Sequence, residues 1–293
     1  MKVLVLGATG MLGREVHREL RDRGVDVVGA GHRRARGDML SVDARDSQGV
    51  SALFEAVAPD AVLNAVGERR PEHWSAQQLH ALNVALPRVI AERCEATGTW
   101  LIHISSDYVF DGRQPPHTPE GRRRPLNPYG RSKADGEDAV HRASPSATIL
   151  RVPVLHGSVE FPEESNLSSL VPLVTSGQPG TVDDWAIRYP TATRDVAIVL
   201  WQMLIQAAAL HGRTCHWSGT EARTKYEMAC AIGDVLDATT GHLRPERRPH
   251  PTRPRDPRLD CRLLEGLGVG TRTPLREALP QVIASALGQE IAP

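Results

Sequence analysis

Tyr129 and Lys133 are four residues apart in the segment Asn127-Pro-Tyr-Gly-Arg-Ser-Lys133. Asn127 is a favourable N-cap residue and Pro128 suits a first helical turn, so the spacing predicts a helix that presents both side chains from one face. A neighbouring ammonium favours the anionic form of a phenol, which makes the pair an acid or base usable near neutral pH. The alternative is that Tyr129 packs in the interior and Lys133 is a solvated helix charge.

Two hydroxyl residues end an apolar run that precedes this helix, Leu101-Ile-His-Ile-Ser-Ser106. Such a run is typical of a buried parallel strand, and open α/β sheets bind ligands at the carboxyl ends of their strands. The run therefore predicts a strand that delivers Ser105 and Ser106 to a ligand site. A serine hydroxyl there could bind the same carbonyl or alcohol oxygen as Tyr129.

Three glycines, Gly7, Gly10 and Gly13, connect a predicted strand over residues 2–6 with a predicted helix over 11–21. Glycines at this spacing, between the first strand and the first helix, are typical of a dinucleotide-binding turn. They permit a tight turn, and the helix N-terminus then faces the pyrophosphate. The alternative is a plain β-α turn without a ligand.

The second predicted strand, over residues 25–30, is followed by Gly31-His-Arg-Arg-Ala-Arg36, which contains no acidic residue. An Asp or Glu near this position would bind the ribose hydroxyls of NAD, whereas arginine suits the 2′-phosphate of NADP. Arg33 and Arg34 therefore favour NADP(H) as the cofactor. The alternative is an ordinary solvated loop.

Later strand ends add further candidates for cofactor contact. Asp43 closes the third predicted strand, and Asn64-Ala65-Val66 follows the fourth. Asn83 lies on an apolar face of a helix predicted over 76–97, where it either satisfies backbone groups in the core or contacts the cofactor. The predicted cofactor-binding residues are Gly7, Thr9, Gly10, Met11, Leu12, Gly13, Arg33, Arg34, Asp43, Asn64, Ala65, Val66, Asn83, Ser105, Tyr129 and Lys133.

The order of the elements predicts an α/β fold. Strand and helix patterns alternate as far as a strand at 148–150, which is typical of a Rossmann-type, doubly wound parallel sheet. Beyond Pro153, prolines and irregular spacings replace the alternation. We therefore expect a dinucleotide-binding domain over 1–155 and a smaller C-terminal substrate-binding domain over 156–293. The segment from about 190 to 210 is expected to pack back on the first domain.

The charge balance argues against large charged partners. Acidic and basic side chains number 35 each, and the sequence pI is about 7.2, so nothing favours nucleic acid or an anionic membrane. The arginine-rich segment 244–258 has no interleaved aromatic residues. It is expected to form a surface loop, or else to supply one or two arginines that bind a diphosphate-bearing ligand.

The cysteines and apolar segments suggest the compartment. Cys94, Cys215, Cys230 and Cys261 are scattered, with no metal-ligand spacing, so we expect reduced thiols and no metal. The longest apolar segment, over 196–210, is too short to span a bilayer. These features predict a cytoplasmic protein that does not enter a membrane.

The glycine turn, together with Ser105-Ser106 and Tyr129-x-x-x-Lys133, resembles the extended short-chain dehydrogenase/reductases. Within that class, the segment Ile104-Ser-Ser-Asp-Tyr-Val-Phe-Asp-Gly112 is similar to the strand-end motif of the dTDP-4-dehydrorhamnose reductase group. The resemblance implies that Ser106, Tyr129 and Lys133 are catalytic.

The same resemblance places the segment Trp185-Ala-Ile-Arg188 at the substrate cleft. An aromatic ring and a guanidinium there would suit the base and a phosphate of a nucleotide sugar, although simple packing is the alternative. Arg253, from the arginine-rich segment, completes the predicted substrate-binding set.

A second resemblance, to the regulatory beta subunit of methionine adenosyltransferase, runs from Met1 to about Ala278. Its matches in the C-terminal half are specific because no cofactor chemistry requires them. The segments that carry the resemblance are Gly31–Arg36, Glu68–Pro71, Cys215–Gly219, Thr224–Ile232, Arg253–Arg255, Leu259–Cys261 and Leu267–Pro274. This resemblance implies a protein that binds NADP and regulates a catalytic partner.

Two functions therefore remain open. The first is an NADPH-dependent reductase of a carbonyl, with the 4-keto group of a nucleotide-activated deoxysugar as its small-molecule substrate. The second is an NADP-binding regulatory subunit whose partner is a methionine adenosyltransferase. A homodimer is compatible with both. The complete set of Ser106, Tyr129 and Lys133 favours the enzyme, since a working site needs all three groups.

Overall fold

The computed structural model describes residues 1–43, 45–68 and 75–289. Residues 69–71, which belong to the segment Glu68–Pro71 of the second resemblance, lie outside the described residues. Residues 290–293, the end of the expected C-terminal domain, also lie outside them. Among the described residues, no helix is both long and apolar enough to cross a membrane.

The secondary structure alternates between strands and helices over the first half of the chain. The strands are β1 (Lys2–Leu6), β2 (Asp26–Gly31), β3 (Leu40–Ser41), β4 (Ala61–Asn64), β5 (Trp100–Ser106), β6 (Thr148–Val152), β7 (Leu155–His156), β8 (Gly180–Asp183), β9 (Thr191–Ala192), β10 (Thr214–His216) and β11 (Leu243–Glu246). The helices are α1 (Met11–Asp22), α2 (Ser47–Val57), α3 (Ala76–His80), α4 (Leu86–Thr97), α5 (Pro128–Ala143), α6 (Leu170–Thr175), α7 (Thr193–Ile205), α8 (Ala207–Leu210), α9 (Lys225–Leu236), α10 (Arg262–Gly266) and α11 (Leu275–Ala286).

A seven-stranded sheet with the order β10-β6-β5-β4-β1-β2-β3 forms the centre of the molecule. All of its strand pairs are parallel. The chain runs outward from β1 through β2 to β3, and then in the opposite direction from β4 to β6. The predicted Rossmann-type fold is confirmed. The reversal between β1 and β4 is the position at which such sheets bind ligands.

The central strands have helices on both faces. Alternate residues of β1 enter two separate clusters, because successive side chains of a strand point to opposite faces. Val3 and Val5 pack with α1 and α7 on one face, whereas Leu4 and Leu6 pack with α2 and α4 on the other. Burial on both faces explains why these strands are continuous apolar runs in the sequence.

The chain returns to this sheet after leaving it. Helix α7 packs along α1, and β10 pairs with β6 in the register Thr214 to Ile149. The segment from about 190 to 210 contains α7, which ends at Ile205, and the short α8, which follows after Gln206. Strand β10 is absent from the sequence-based expectation. The division into domains at residue 155 stays a prediction.

A third cluster lies apart from the sheet and is built from the C-terminal half. Its apolar side chains come from α6, α9 and α11 and from the two-stranded sheet of β8 and β11. A capping box stabilises the start of α9, because Thr224 Oγ1 accepts from the Glu227 N–H and the Glu227 carboxylate accepts from the Thr224 N–H. This cluster supplies one wall of the candidate site.

The helix predicted over 76–97 is interrupted. A π-helical segment, Ala81–Ala85, joins α3 to α4 and contains Asn83. Helix α5 approaches this segment closely at Gly136, where an added Cβ would lie 2.1 Å from the carbonyl oxygen of Asn83. The extra residue of a π-turn is common near functional sites, and here it aims Asn83 at α5.

Gly13 allows α1 to begin directly against the end of β1. An added Cβ would lie 2.0 Å from the Gly7 carbonyl oxygen, and backbone cannot move aside cheaply. We expect Gly13→Ala to lower the free energy of unfolding by about 1–3 kcal/mol, measured by urea denaturation.

Gly266→Ala is the matched control, since nothing lies within 4 Å of its added Cβ. It lies at the end of a helix, where alanine is the better helix former, so this variant should be no less stable than the wild type. Equal stability of the two variants would show that the close contact at Gly13 carries no strain.

Candidate functional site

A cavity of about 710 Å³ lies at the carboxyl end of the sheet, beside the point where the strand order reverses. Its walls come from the turn before α1, the ends of β4 and β5, the start of α5, and the C-terminal half. The predicted site residues that line it are Gly10, Met11, Leu12, Gly13, Arg34, Ala65, Val66, Ser105, Ser106, Tyr129, Lys133, Arg188 and Arg253.

The glycine turn has the backbone geometry of an anion cradle. Gly7 has φ of 83°, a left-handed conformation that favours glycine, and its carbonyl packs against Gly13. Gly10 lines the cavity and is the N-cap of α1, so no N-cap side chain binds the first N–H groups of the helix. The first turn of α1 also contains no acidic residue. This helix end therefore fits a pyrophosphate.

Ser106 ends β5 next to a buried carboxyl group. Its Oγ donates to Asp107 Oδ1 at 3.0 Å and accepts from the Tyr108 N–H at 3.2 Å. Burial raises the pKa of Asp107 to about 6, although Arg188 opposes the shift. Asp107 Oδ2 is buried and finds no partner among the described residues, and Asp107 lines the cavity. It is therefore an acceptor that a ligand hydroxyl could satisfy.

Lys133 is buried, with its amine directed at the end of β5. Its Nζ donates to the Ile104 carbonyl at 2.7 Å and lies 3.5 Å from His103 Nε2. The other ring nitrogen of His103 lies 3.0 Å from Asn64 Nδ2. Burial lowers the pKa of Lys133 to about 8, against the opposing effect of Glu137. Lys133 thus titrates much closer to neutrality than an exposed lysine.

Tyr129 lies in the first turn of α5, where Asn127 caps the helix by accepting from the Gly130 N–H at 2.7 Å. Its ring contacts Tyr108 edge-on, with 5.9 Å between centroids. Gly130 permits this approach, because an added Cβ would lie 2.2 Å from the Tyr108 carbonyl oxygen. Arg188 Nη2 donates to Tyr108 Oη at 3.0 Å, so the cavity wall continues into the C-terminal half.

The hydroxyl of Ser105 points away from the cavity that its residue lines. Its Oγ donates to Glu137 Oε1 at 2.5 Å, and Glu137 is also bound by Arg151 at 2.7 Å and by Arg123 at 3.1 Å. Burial opposes ionisation, but the hydrogen bonds from Arg151 lower the pKa of Glu137. Ser105 therefore belongs to a buried polar network that supports β5 and α5.

Asn83 and Asn64, both predicted to contact the cofactor, lie behind the cavity wall. The Asn83 amide donates to Ser132 Oγ at 2.9 Å and exchanges two hydrogen bonds with the Glu68 backbone, both at 3.0 Å. Asn64 Oδ1 accepts from the Val66 N–H at 3.1 Å. Asn83 thus satisfies backbone groups, and its contact with the cofactor stays a prediction. Both residues position the turn that lines the cavity.

The predicted residues near the end of β2 separate into two groups. Arg34 lines the cavity, where its guanidinium contacts carboxylates from the C-terminal half. Arg33 is exposed. Asp43 does not line the cavity either. Its carboxylate forms an ion pair with Arg45 at 2.7 Å. Thr9 also lies outside the lining, where it packs against Gly31.

Two of the three predicted substrate residues line the cavity. Arg188 is buried and Arg253 pairs with Asp183 at 2.7 Å, and both line the cavity. Trp185 does not line it. The Arg255 guanidinium lies over the Trp185 ring, 5.5 Å from its centroid, and a contact of Trp185 with substrate stays a prediction.

Several cavity residues are missing from the sequence-based set. Asp107 and Tyr108 directly follow Ser106 within the quoted motif, which could have identified them. Glu164, Asn166 and Lys225 also line the cavity. Glu164 and Asn166 lie in no quoted segment, so only the fold reveals them. Lys225 lies in the segment Thr224–Ile232 of the second resemblance, which implied no site role for it.

The comparisons with known proteins agree with this geometry. Residues 1–287 match the family model described as RmlD substrate binding domain. The mouse protein "Methionine adenosyltransferase 2 subunit beta" is 42% identical over 289 residues, covering 96% of this chain and 86% of its own. A Streptomyces antibioticus protein, "Probable dTDP-4,6-dihydroxy-2-methyloxan-3-one 4-ketoreductase", is 33% identical over 97% of each chain.

Solved structures show the same fold. A dTDP-4-dehydrorhamnose reductase from Clostridium acetobutylicum has a TM-score of 0.82 and 24% identity, covering 97% of this chain and 98% of its own. A Bacillus anthracis dTDP-4-dehydrorhamnose reductase in complex with NADP has a TM-score of 0.80 and 22% identity, covering 95% of both chains. The resemblances inferred from the motifs are confirmed. This chain belongs to the RmlD substrate binding domain family of extended short-chain dehydrogenase/reductases.

Proposed function

We propose that this protein is an NADPH-dependent reductase that acts on the 4-keto group of a nucleotide-activated deoxysugar. One observation carries the proposal: a single cavity brings Ser106, Tyr129 and Lys133 together beside the uncapped end of α1. A proton donor and a dinucleotide site in one cavity suit hydride transfer to a carbonyl. The names of the Streptomyces relative and the Bacillus structure also support it.

The chain's own residues suit NADP(H). The first N–H groups of α1 would bind the pyrophosphate, Lys133 would bind the nicotinamide ribose, and Arg34 would bind the 2′-phosphate. When bound, the nicotinamide supplies the hydride. The lining residues Ala65 and Val66 are small or apolar, so they leave room along this path and help to exclude water.

Tyr129 would donate a proton to the substrate carbonyl oxygen as the hydride adds to carbon. Ser106 would donate a hydrogen bond to the same oxygen, which requires its hydroxyl to turn from Asp107 Oδ1 toward the cavity. The ammonium of Lys133 would stabilise the phenolate that Tyr129 leaves behind. The three predicted catalytic residues, Ser106, Tyr129 and Lys133, all line this cavity.

The opposite wall offers groups for the rest of the substrate. Asp107 Oδ2 would accept a hydrogen bond from a sugar hydroxyl, which would satisfy a buried atom that lacks a partner among the described residues. Arg188 and Arg253 would bind the diphosphate, since arginine forms strong charge-assisted hydrogen bonds with phosphate oxygens. The site thereby suits a sugar that is attached to a nucleoside diphosphate.

The test is turnover of NADPH with a panel of nucleotide 4-keto sugars. We expect nicotinamide absorbance to fall with at least one of them. The matched control is each nucleotide sugar in its already reduced form, which has no keto group on the sugar and should leave the absorbance constant. If NADPH binds but no keto sugar is reduced, the enzymatic proposal is wrong.

A second function has specific support. The mouse relative that shares 42% identity over 96% of this chain is named as a subunit of a methionine adenosyltransferase. We therefore also propose, as the alternative, that this chain binds NADP and regulates such an enzyme. Co-purification with an adenosyltransferase, together with failure to reduce any keto sugar, would favour this function. Both proposals retain the expected cytoplasmic location.

A further inference from the structure

Arg34 is held by carboxylates in the structure, although it is the residue assigned above to the cofactor phosphate. Its Nη1 lies 2.5 Å from Glu160 Oε2 and 3.1 Å from Glu164 Oε1. These carboxylates belong to the segment Ser158–Glu164, which reaches from the C-terminal half across to the nucleotide turn. Both carboxylates contact the same nitrogen, so a phosphate that binds the other N–H groups of Arg34 lies beside two negative charges that already neutralise the guanidinium.

The two carboxylates are fixed to different degrees. Glu164 has a side chain only 8% exposed and also receives hydrogen bonds from Arg14 at 2.6 and 2.9 Å. Arg14 additionally donates to the Ser158 carbonyl at 3.3 Å, which fastens the segment to α1. The side chain of Glu160 is 37% exposed, and its contact with Arg14 is longer, at 3.7 Å. Glu164 is therefore the more firmly held carboxylate, and Glu160 is the more readily displaced one.

The charges around Arg34 determine how strongly the cofactor 2′-phosphate can bind. Arg14, Arg34, Glu160 and Glu164 together carry no net charge. A 2′-phosphate would add about −1.5 to −2 charges beside the two carboxylates, which repel it. NAD has only a hydroxyl at this position and meets no such repulsion.

We propose that Glu160 is a specificity-determining residue that competes with the cofactor 2′-phosphate for Arg34. Glu160 neutralises part of the charge of Arg34 and repels the phosphate, so it lowers the affinity for NADPH and leaves that for NADH unchanged. The inference rests on the proposed NADP(H) function and adds to it a residue that weakens the preference for the phosphorylated cofactor.

The experiment measures dissociation constants for NADPH and NADH on the full chain, from nicotinamide fluorescence at fixed ionic strength. Glu160→Gln should tighten NADPH binding about two- to fivefold, the size expected from a partly exposed ion pair. The dissociation constant for NADH should not change. Arg34→Ala should weaken NADPH binding about tenfold or more. In the double variant Arg34→Ala/Glu160→Gln, the loss of Glu160 should tighten NADPH binding less than it does when Arg34 is present, because only the direct repulsion is then relieved.

Glu163→Gln is the matched control, because it removes the same charge from an exposed residue of the same segment, within the 3₁₀ helix Pro162–Glu164 that follows Glu160. Equal tightening by this variant would show a general charge effect and overturn the inference. Unchanged or weaker NADPH binding by Glu160→Gln, or equal tightening of NADH, would overturn it as well. If the wild type binds neither cofactor, the proposed function fails, and the inference fails with it.

Discussion

Replacing Tyr129 with phenylalanine is expected to lower the kcat of carbonyl reduction by about 10²- to 10⁴-fold, the usual contribution of a general acid. The phenol is the assigned proton donor, and phenylalanine retains the ring that contacts Tyr108 edge-on. The dissociation constant for NADPH should therefore stay close to that of the wild type. Single-turnover oxidation of NADPH with a nucleotide 4-keto sugar measures the effect on the chemical step.

Tyr226→Phe is the control for this experiment. Tyr226 lies in α9 and does not line the cavity, so the loss of its hydroxyl should leave kcat unchanged. A reduction rate that survives in Tyr129→Phe would remove Tyr129 from the mechanism. If the rate falls together with NADPH affinity and thermal stability, the tyrosine has a structural role instead.

Glu137→Leu should lower the free energy of unfolding by about 3–5 kcal/mol, the usual result when one partner of a buried ion pair is removed. The side chains of Glu137 and Arg151 are only 2% and 4% exposed, and Arg151 would be left buried without a carboxylate. Ser105 would also lose its acceptor. Urea denaturation with an unchanged m-value would measure the loss.

Glu92→Ala provides the comparison. Glu92 and Arg88 form an ion pair with side chains 48% and 52% exposed, so its loss should cost about 1 kcal/mol or less. In the double variant Glu137→Leu/Arg151→Met, the loss should be smaller than the sum of the single losses, because neither charge is then stranded. Strict additivity would mean that the two side chains do not stabilise each other.

The sheet and the glycine turn could be predicted because their signals are local. Strand β1 is an apolar run with burial on both faces, and Gly7, Gly10 and Gly13 follow it at once. The helix that carries Tyr129 and Lys133 was equally clear, since Asn127 and Pro128 mark its start. These features depend on residues that are neighbours in the chain.

Other features depend on residues that are distant in the chain. The direction of the Ser105 hydroxyl is decided by Glu137, and the role of Asn83 is decided by Glu68 and Ser132. Strand β10 has only three residues, too few to show a pattern. Periodicity gives the face on which a residue lies, but it does not give the partner that the residue meets there.

The return of the chain to the sheet has a consequence for folding during synthesis. The strands that carry the nucleotide turn leave the ribosome before residues 193–216, yet β10 pairs with the edge of β6 that β5 leaves open, and α7 packs along α1. Until residues 193–216 emerge, the nascent chain presents an unpaired strand edge and an apolar helix face. We expect nascent chains of intermediate length to need a chaperone, and their release from it to coincide with synthesis of β10.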